Sequence, residues 1–179
     1  IPVGTAWSSS GSDSGAFTGS ERTLLALFLR GSRLAVLLDV YGYESVGSEI
    51  HYLEYVGVDF YDVSDPSAPV LLTSTGQDGV FSGAWMSGGA LCVATDYSVS
   101  DVSDAANAKQ YVPCVHTAAE SRLLPAESLY ALPAGGEGCA VLGAYSLDEP
   151  AQRNAVAVYG AEAKNVYAVP GSIFLTDTR

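Results

Sequence analysis

Basic side chains are scarce in this chain. Its 8 lysines and arginines stand against 20 aspartates and glutamates, a formal charge of −12 over 179 residues. Binding a nucleic-acid backbone needs a basic surface to neutralise phosphates, and adsorption to anionic lipid needs the same, so both are disfavoured. Cysteine is scarce too. Cys92, Cys114 and Cys139 are too few and too scattered for a disulfide framework, and no C-x-x-C spacing offers zinc a pair of ligands. At most one internal disulfide can form. Cys92 and Cys139 lie in apolar runs, where a buried inert thiol is expected, and Cys114 lies in a predicted loop.

Other absences narrow the chemistry. The two histidines, His51 and His116, each have one carboxylate nearby, Glu54 at i+3 and Glu120 at i+4, but no second histidine or cysteine to complete a metal site. A Ser/His/Asp set drawn from His116, Asp101 and a serine lacks the Gly-x-Ser-x-Gly elbow that would support it. No apolar run approaches the roughly 18 residues of a membrane-spanning helix. The chain opens Ile1-Pro2-Val3, without the basic region and apolar run of a signal peptide. If the protein is exported, the expectation is that its targeting segment has been removed.

What the chain does hold points to strands. Apolar residues are 48% against 16% charged, with 11 tyrosines, 19 glycines and a single methionine, a composition for an ordered, β-rich chain with tight turns. Residues 1–22, with Ser8–Ser20 reading SSSGSDSGAFTGS, are predicted to be a flexible lead-in. Order is expected from Thr23: Leu24–Leu29, a turn at Arg30-Gly31-Ser32, then Arg33–Tyr41, a hairpin whose second strand is apolar on both faces and so expected to be buried on both. A helix over Thr23–Leu29 is the competing reading; the Gly-Ser turn and the β-branched continuation favour strand.

The hairpin recurs. Gly31-Ser32-Arg33-Leu34-Ala35-Val36 aligns with Gly88-Gly89-Ala90-Leu91-Cys92-Val93 and with Gly171-Ser172-Ile173-Phe174-Leu175-Thr176. Between hairpins lies a second repeated element, a strand, a polar corner and a strand. In VGVDFYDVSDPSAPVLL, residues 56–72, Val56, Val58 and Phe60 alternate as in a strand with one buried face, and Ser64-Asp65-Pro66 stops the ladder. Tyr61-Asp62-Val63-Ser64-Asp65-Pro66 is answered by Tyr145-Ser146-Leu147-Asp148-Glu149-Pro150. The second copy keeps the shape while changing the acids, which suits a structural turn rather than a metal site.

A repeated four-strand unit of roughly 40–50 residues is the sequence mark of a β-propeller blade, each covering its neighbour's apolar face. The expected fold is therefore all-β, with four-stranded antiparallel blades over about 23–76 and 80–160 and a half unit over 164–179. A closed propeller needs at least about four blades, so an incomplete or open one is expected, with self-association through exposed strand edges. The second unit carries an insertion between Tyr97 and Gly136, expected as loops at one end of the stack with a short helical turn around Leu123, Leu124, Leu129 and Tyr130.

The pairing of VDFYDVSDPSAPVLL with FSGAWMSGGALCVATDY (81–97), then Tyr111-Val112-Pro113, Leu124-Pro125-Ala126-Glu127 and NVYAVPGSIFLTDT (165–178), resembles bacterial secreted proteins with a C-terminal β-propeller domain. The resemblance covers about residues 24–179, and the Asp62–Pro69 corner is its distinctive part. It implies an extracytoplasmic propeller and supplies no catalytic residues.

The remaining candidates have structural explanations. Asp96, Asp101 and Asp104 could gather around calcium, but their spacing fits no EF-hand loop. Gly135-Gly136-Glu137-Gly138 precedes a predicted strand, whereas a phosphate cradle needs a helix after its glycines. Trp7, Trp85 and the tyrosines suit a sugar-stacking surface, but at strand spacing core packing is expected. No catalytic, cofactor-binding or metal-ligating residue is therefore assigned. The function expected is a non-enzymatic extracellular or cell-surface binding or scaffold module for a protein or carbohydrate. The alternatives are a hydrolase with its site in the 97–136 insertion and a calcium-stabilised surface module.

Overall fold

The computed structural model describes residues 21–46, 49–99, 102, 105–133, 136, 138–163, 166–169 and 172–175, with the backbone alone at 43–46, 49–51, 53, 168 and 169. The rest of the predicted lead-in, with Trp7, lies outside the described residues, and so does Gly171 of the third hairpin. The first strand opens at Glu21, two residues ahead of the predicted start, and the helical alternative for Thr23–Leu29 is excluded.

The described strands form three sheets, antiparallel except for one pairing in the second. β1 (Glu21–Arg30), β2 (Arg33–Val46), β3 (Glu49–Asp62) and β4 (Val70–Asp78) form a meander, the first sheet. β5 (Val80–Ser87) and β6 (Ala90–Tyr97) begin the second. The insertion supplies β7 (Cys114–Thr117), β8 (Ser121–Leu123) and β9 (Leu129–Ala131). β10 (Cys139–Ser146) and β11 (Arg153–Tyr159) complete the second meander, and β12 (Val166–Val169) pairs with β13 (Ser172–Leu175) as a third, two-stranded sheet. The fold is all-β and propeller-like, with four-stranded antiparallel meanders and an open arrangement.

The repeat seen in the sequence is repeated in the hydrogen bonds. The Val63 N–H donates to the Ser32 carbonyl at 2.8 Å, and its counterpart Leu147 N–H donates to the Gly89 carbonyl at 3.4 Å. In each unit the end of the third strand is thus tied to the turn between the first two. Both turns need left-handed backbone, met by Gly31 at φ 59° and by Gly88 and Gly89 at φ 57° and 88°, which glycine adopts without a Cβ penalty. The corners are built by side chains bonding nearby backbone. Asp62 Oδ1 accepts from the Ser64 N–H at 2.8 Å, Asp65 Oδ1 from the Ser67 N–H at 2.9 Å, and Ser146 Oγ from the Glu149 N–H at 3.0 Å. Arg33 pairs with Asp62 in the first corner. Arg30 reaches across to Asp148 in the second at 3.0 Å and to the Gly89 carbonyl at 3.1 Å.

The sheets stack with the second in the middle. Ala35, Leu37, Val58 and Phe60 of the first sheet pack on Leu91, Val93, Tyr145 and Leu147 of the second unit. The opposite face of the second sheet presents Ala94 and Ala140, which pack with Ala161, Ala163, Trp85, Val166 and Leu175 on the third-sheet side. Residues 91–95 are consequently buried without a break, whatever face each side chain takes. This places the strand covered on both sides in the second sheet and corrects the expectation for β2. Ala35 and Leu37 of β2 are fully buried; on its other face Val40 is buried too, but Leu34, Val36 and Leu38 are only half-buried, because no other sheet among the described residues covers the first sheet's outer face.

The insertion departs from the expected loops. β7 and β8 extend the first sheet beyond β4, and β9 adds a parallel strand to β11. Leu123 lies in β8 and Leu129 and Tyr130 in β9, so no helical turn gathers them; 3-10 turns form instead at Ala108–Gln110 and Ala126–Ser128. The physical reason is that β4 and β11 each offered an unpaired backbone edge, which a neighbouring segment satisfies by strand pairing.

Gln77 links the first two sheets. It is fully buried on β4, where Nε2 donates to the Val141 carbonyl at 3.0 Å and to Thr95 Oγ1 at 3.1 Å, and Oε1 accepts from the Tyr145 hydroxyl at 2.9 Å. Gly143 makes the space, since a Cβ there would collide with Gln77 Oε1 and stand 2.8 Å from the Tyr145 ring.

Candidate functional site

The outer face of the first sheet carries two buried polar side chains, Asp59 and His116. Gly57, Gly76, His116 and Ser121 stand in register across β3, β4, β7 and β8. The two glycines leave that row bare, and the Tyr55 ring lies across the gap. A Cβ on Gly76 would stand 2.9 Å from that ring and 2.7 Å from the Val56 carbonyl oxygen, so the close approach requires glycine. The ring reaches His116 with a centroid separation of 4.4 Å.

β7 and β8 are joined by a turn that Thr117 organises. Its Oγ1 accepts from the Glu120 N–H at 3.0 Å and the Ala119 N–H at 3.2 Å, and the Thr117 N–H donates to the Glu120 carbonyl at 2.9 Å. That turn sets Ser121 directly opposite His116. Asp78 closes the group from the end of β4, where Gly79, at φ 105°, passes the chain at once into the second sheet.

The resulting geometry is compact. His116 Nε2 meets Asp78 Oδ1 at 2.6 Å, His116 Nδ1 meets Ser121 Oγ at 2.8 Å, and the Cys114 N–H donates to Asp78 Oδ2 at 2.6 Å. His116 and Asp78 are nearly shielded from solvent, while Ser121 is exposed. Further along the same face Arg22 pairs with the buried Asp59 at 3.5 Å. A hollow of about 190 Å³ opens between the two groups, with Val40, Tyr55, Gly57 and Ala118 among its lining. Burial raises the Tyr55 hydroxyl's pKa above its ordinary value, against the pull of Arg22, so it stays protonated at neutral pH.

The histidine singled out in the sequence is thus in the site, but with other partners. Its carboxylate is Asp78; Asp101 lies outside the described residues. Glu120, four residues on, turns away to Arg122 at 2.7 Å. Asp78, Ser121, Tyr55 and Asp59 were missed because strand pairing, which spacing along the chain does not reveal, brings them together. The side chain of His51 lies outside the described residues, and Glu54 is exposed.

The other candidates fall apart or are structural. Of the three acids considered for calcium, Asp104 as well as Asp101 lies outside the described residues, and Asp96 Oδ1 is engaged by the Ala163 N–H. Among the described residues no group of three or more His, Cys, Asp or Glu is placed to hold a metal. Gly136 and Gly138 pair with Gly160 through backbone bonds of 3.2 and 2.7 Å and lead into β10, not into a helix. Trp85 packs between the second and third sheets. All three thiols are free. Burial pushes Cys114 and Cys139 up to about 12, with Asp78 adding to the first and Asp96 to the second. Among the described residues no helix is long and apolar enough to cross a membrane.

A family model described as Beta propeller domain matches residues 8–179. No curated protein and no solved structure matches the chain.

Proposed function

The chain belongs to the β-propeller domain family, and on that premise we propose that it is an extracytoplasmic protein-binding scaffold that assembles through the outer face and free edge of its first sheet. A propeller domain supports a binding or scaffold role in general terms. The particular observation that carries the reading is an uncovered apolar face. Leu24, Leu27 and Leu29 are 52%, 58% and 66% exposed on β1, an edge strand, and Leu71 is 42% exposed. Their partners in register are the half-buried Leu38, Val36, Leu34 and Tyr61, so the leucines form one continuous surface.

Exposed apolar surface of this extent on an edge strand invites contact with protein. The partner we propose is a second copy, paired along β1. The resemblance to bacterial secreted proteins supports the extracytoplasmic placement. The test is carbene footprinting of the whole chain at low and high concentration. Labelling of Leu24, Leu27 and Leu29 should fall as concentration rises, while that of the exposed Tyr130 does not; equal labelling of the leucines throughout would count against assembly by this face.

A carbohydrate ligand is the second reading. Tyr41 and Tyr52, 50% and 73% exposed, stack at a centroid separation of 6.4 Å and an interplanar angle of 29°, a flat aromatic pair of the kind a sugar ring can cover. Tyr52→Ala should abolish retention on a polysaccharide column if that reading holds.

A further inference from the structure

Asp78, His116 and Ser121 stand on three neighbouring strands, and the hydrogen bonds among them fix the imidazole's tautomer. Asp78 Oδ2 is occupied by the Cys114 N–H and Oδ1 faces His116 Nε2. A carboxylate only accepts, so Nε2 carries the hydrogen and Nδ1 keeps its lone pair. That lone pair faces Ser121 Oγ at 2.8 Å. The Tyr55 ring packs against the imidazole. A shielded base, oriented by a carboxylate and bonded to an exposed hydroxyl, is the arrangement that activates a serine.

We propose that Ser121 is a nucleophile for acyl transfer from small esters, with His116 its general base and Asp78 a positioning residue. Ser121 Oγ bonds to the ester carbonyl carbon as its proton passes to His116 Nδ1. The carbon–oxygen bond to the alcohol breaks, the proton goes from Nδ1 to the departing oxygen, and the acyl group stays on Ser121. Water, giving a proton to the same nitrogen, then attacks the acyl carbon; the acid leaves and the proton returns to Oγ. Ester and water become acid and alcohol, with no other reactant. A hollow of about 190 Å³ opens beside the imidazole. The proposal is independent of the assembly reading, since Leu24, Leu27 and Leu29 take no part in it.

The test uses the whole chain, a fluorophosphonate probe with mass mapping of the label, and hydrolysis of p-nitrophenyl acetate. The label is expected on Ser121, and both label and hydrolysis should fall about a hundredfold or more in His116→Asn and in Ser121→Ala. Ser172→Ala, at an exposed serine on the third sheet, should leave both unchanged. Asp78→Asn lets the side-chain amide donate to Nε2 and so moves the hydrogen to Nδ1. Labelling of Ser121 should then fall while the melting temperature still reports a folded chain, and Asp78→Glu, which keeps an acceptor for Nε2, should recover part of it. Ser121→Ala lies on an edge strand at an exposed position and keeps the fold, so hydrolysis that persists in it would overturn the proposal. Absence of label on Ser121 in the folded native chain would overturn it equally.

Discussion

Gln77→Leu removes the polar link between the first two sheets with little change in volume. Two well-formed donor bonds are lost, each worth about 1 kcal/mol net. The fully buried Tyr145 hydroxyl is left without its acceptor, at a further cost of about 1–3 kcal/mol. The expected loss is therefore about 3–5 kcal/mol, a large part of the roughly 5–15 kcal/mol that holds a domain together. Tyr145→Phe strands Gln77 Oε1 instead, at about 1–3 kcal/mol. The double variant carries neither orphan, so it should be more stable than the sum of the two losses predicts, by about 2 kcal/mol or more. Urea unfolding of the four proteins, with the slope checked for constancy, measures this coupling. A coupling below about 0.5 kcal/mol would refute the reasoning, because it would mean that Gln77 and Tyr145 do not share a hydrogen bond across the stack.

Two further perturbations follow from groups held away from their ordinary pKa. The Ser64 N–H, then the Ser64 hydroxyl and Arg33, lower the pKa of the Asp62 carboxyl from 3.8 to about 2. Its folded value lies below its unfolded one, so its contribution is complete above about 3.8 and fades as pH falls through about 2. Asp62→Asn should accordingly lower the melting temperature at pH 7, and the gap from the native chain should narrow as pH falls below about 3.8 and close only below about 2. Cys114 and Cys139, pushed up to about 12, hold almost no thiolate at neutral pH. Ellman's reagent should react slowly with the native chain and titrate 3 thiols once it is unfolded in urea.

The strands and their repeat were legible because period-2 alternation and the paired Gly turns are local signals. Tyr61–Pro66 and Tyr145–Pro150 revealed their equivalence through composition alone, and the hydrogen bonds of Val63 and Leu147 bear out that equivalence. The stacking order was not legible. β2 reads as apolar on both faces, yet which of two apolar sheets lies inside depends on what covers it, and the sequence of one strand does not record its neighbour. The insertion was misread for a related reason: Leu123 and Tyr130 belong to short segments that add to the open edges of β4 and β11, which are distant in sequence. The candidate site was legible only at His116. Asp78 looked like the polar end of a strand and Ser121 like one loop serine among many, and only the register of β4, β7 and β8 sets them beside the imidazole.

The central claim is that the uncovered leucines of β1 are a contact surface. Leu27→Lys places a charge, which resists burial without a partner, in the middle of that surface while leaving both cores untouched. Light scattering across a concentration series measures the outcome directly. The native chain should rise above its 18.5 kDa monomer mass as concentration increases, and Leu27→Lys should remain a monomer with an unchanged melting temperature. A native chain that stays at the monomer mass throughout, or a variant that associates as strongly as the native chain, would contradict the account.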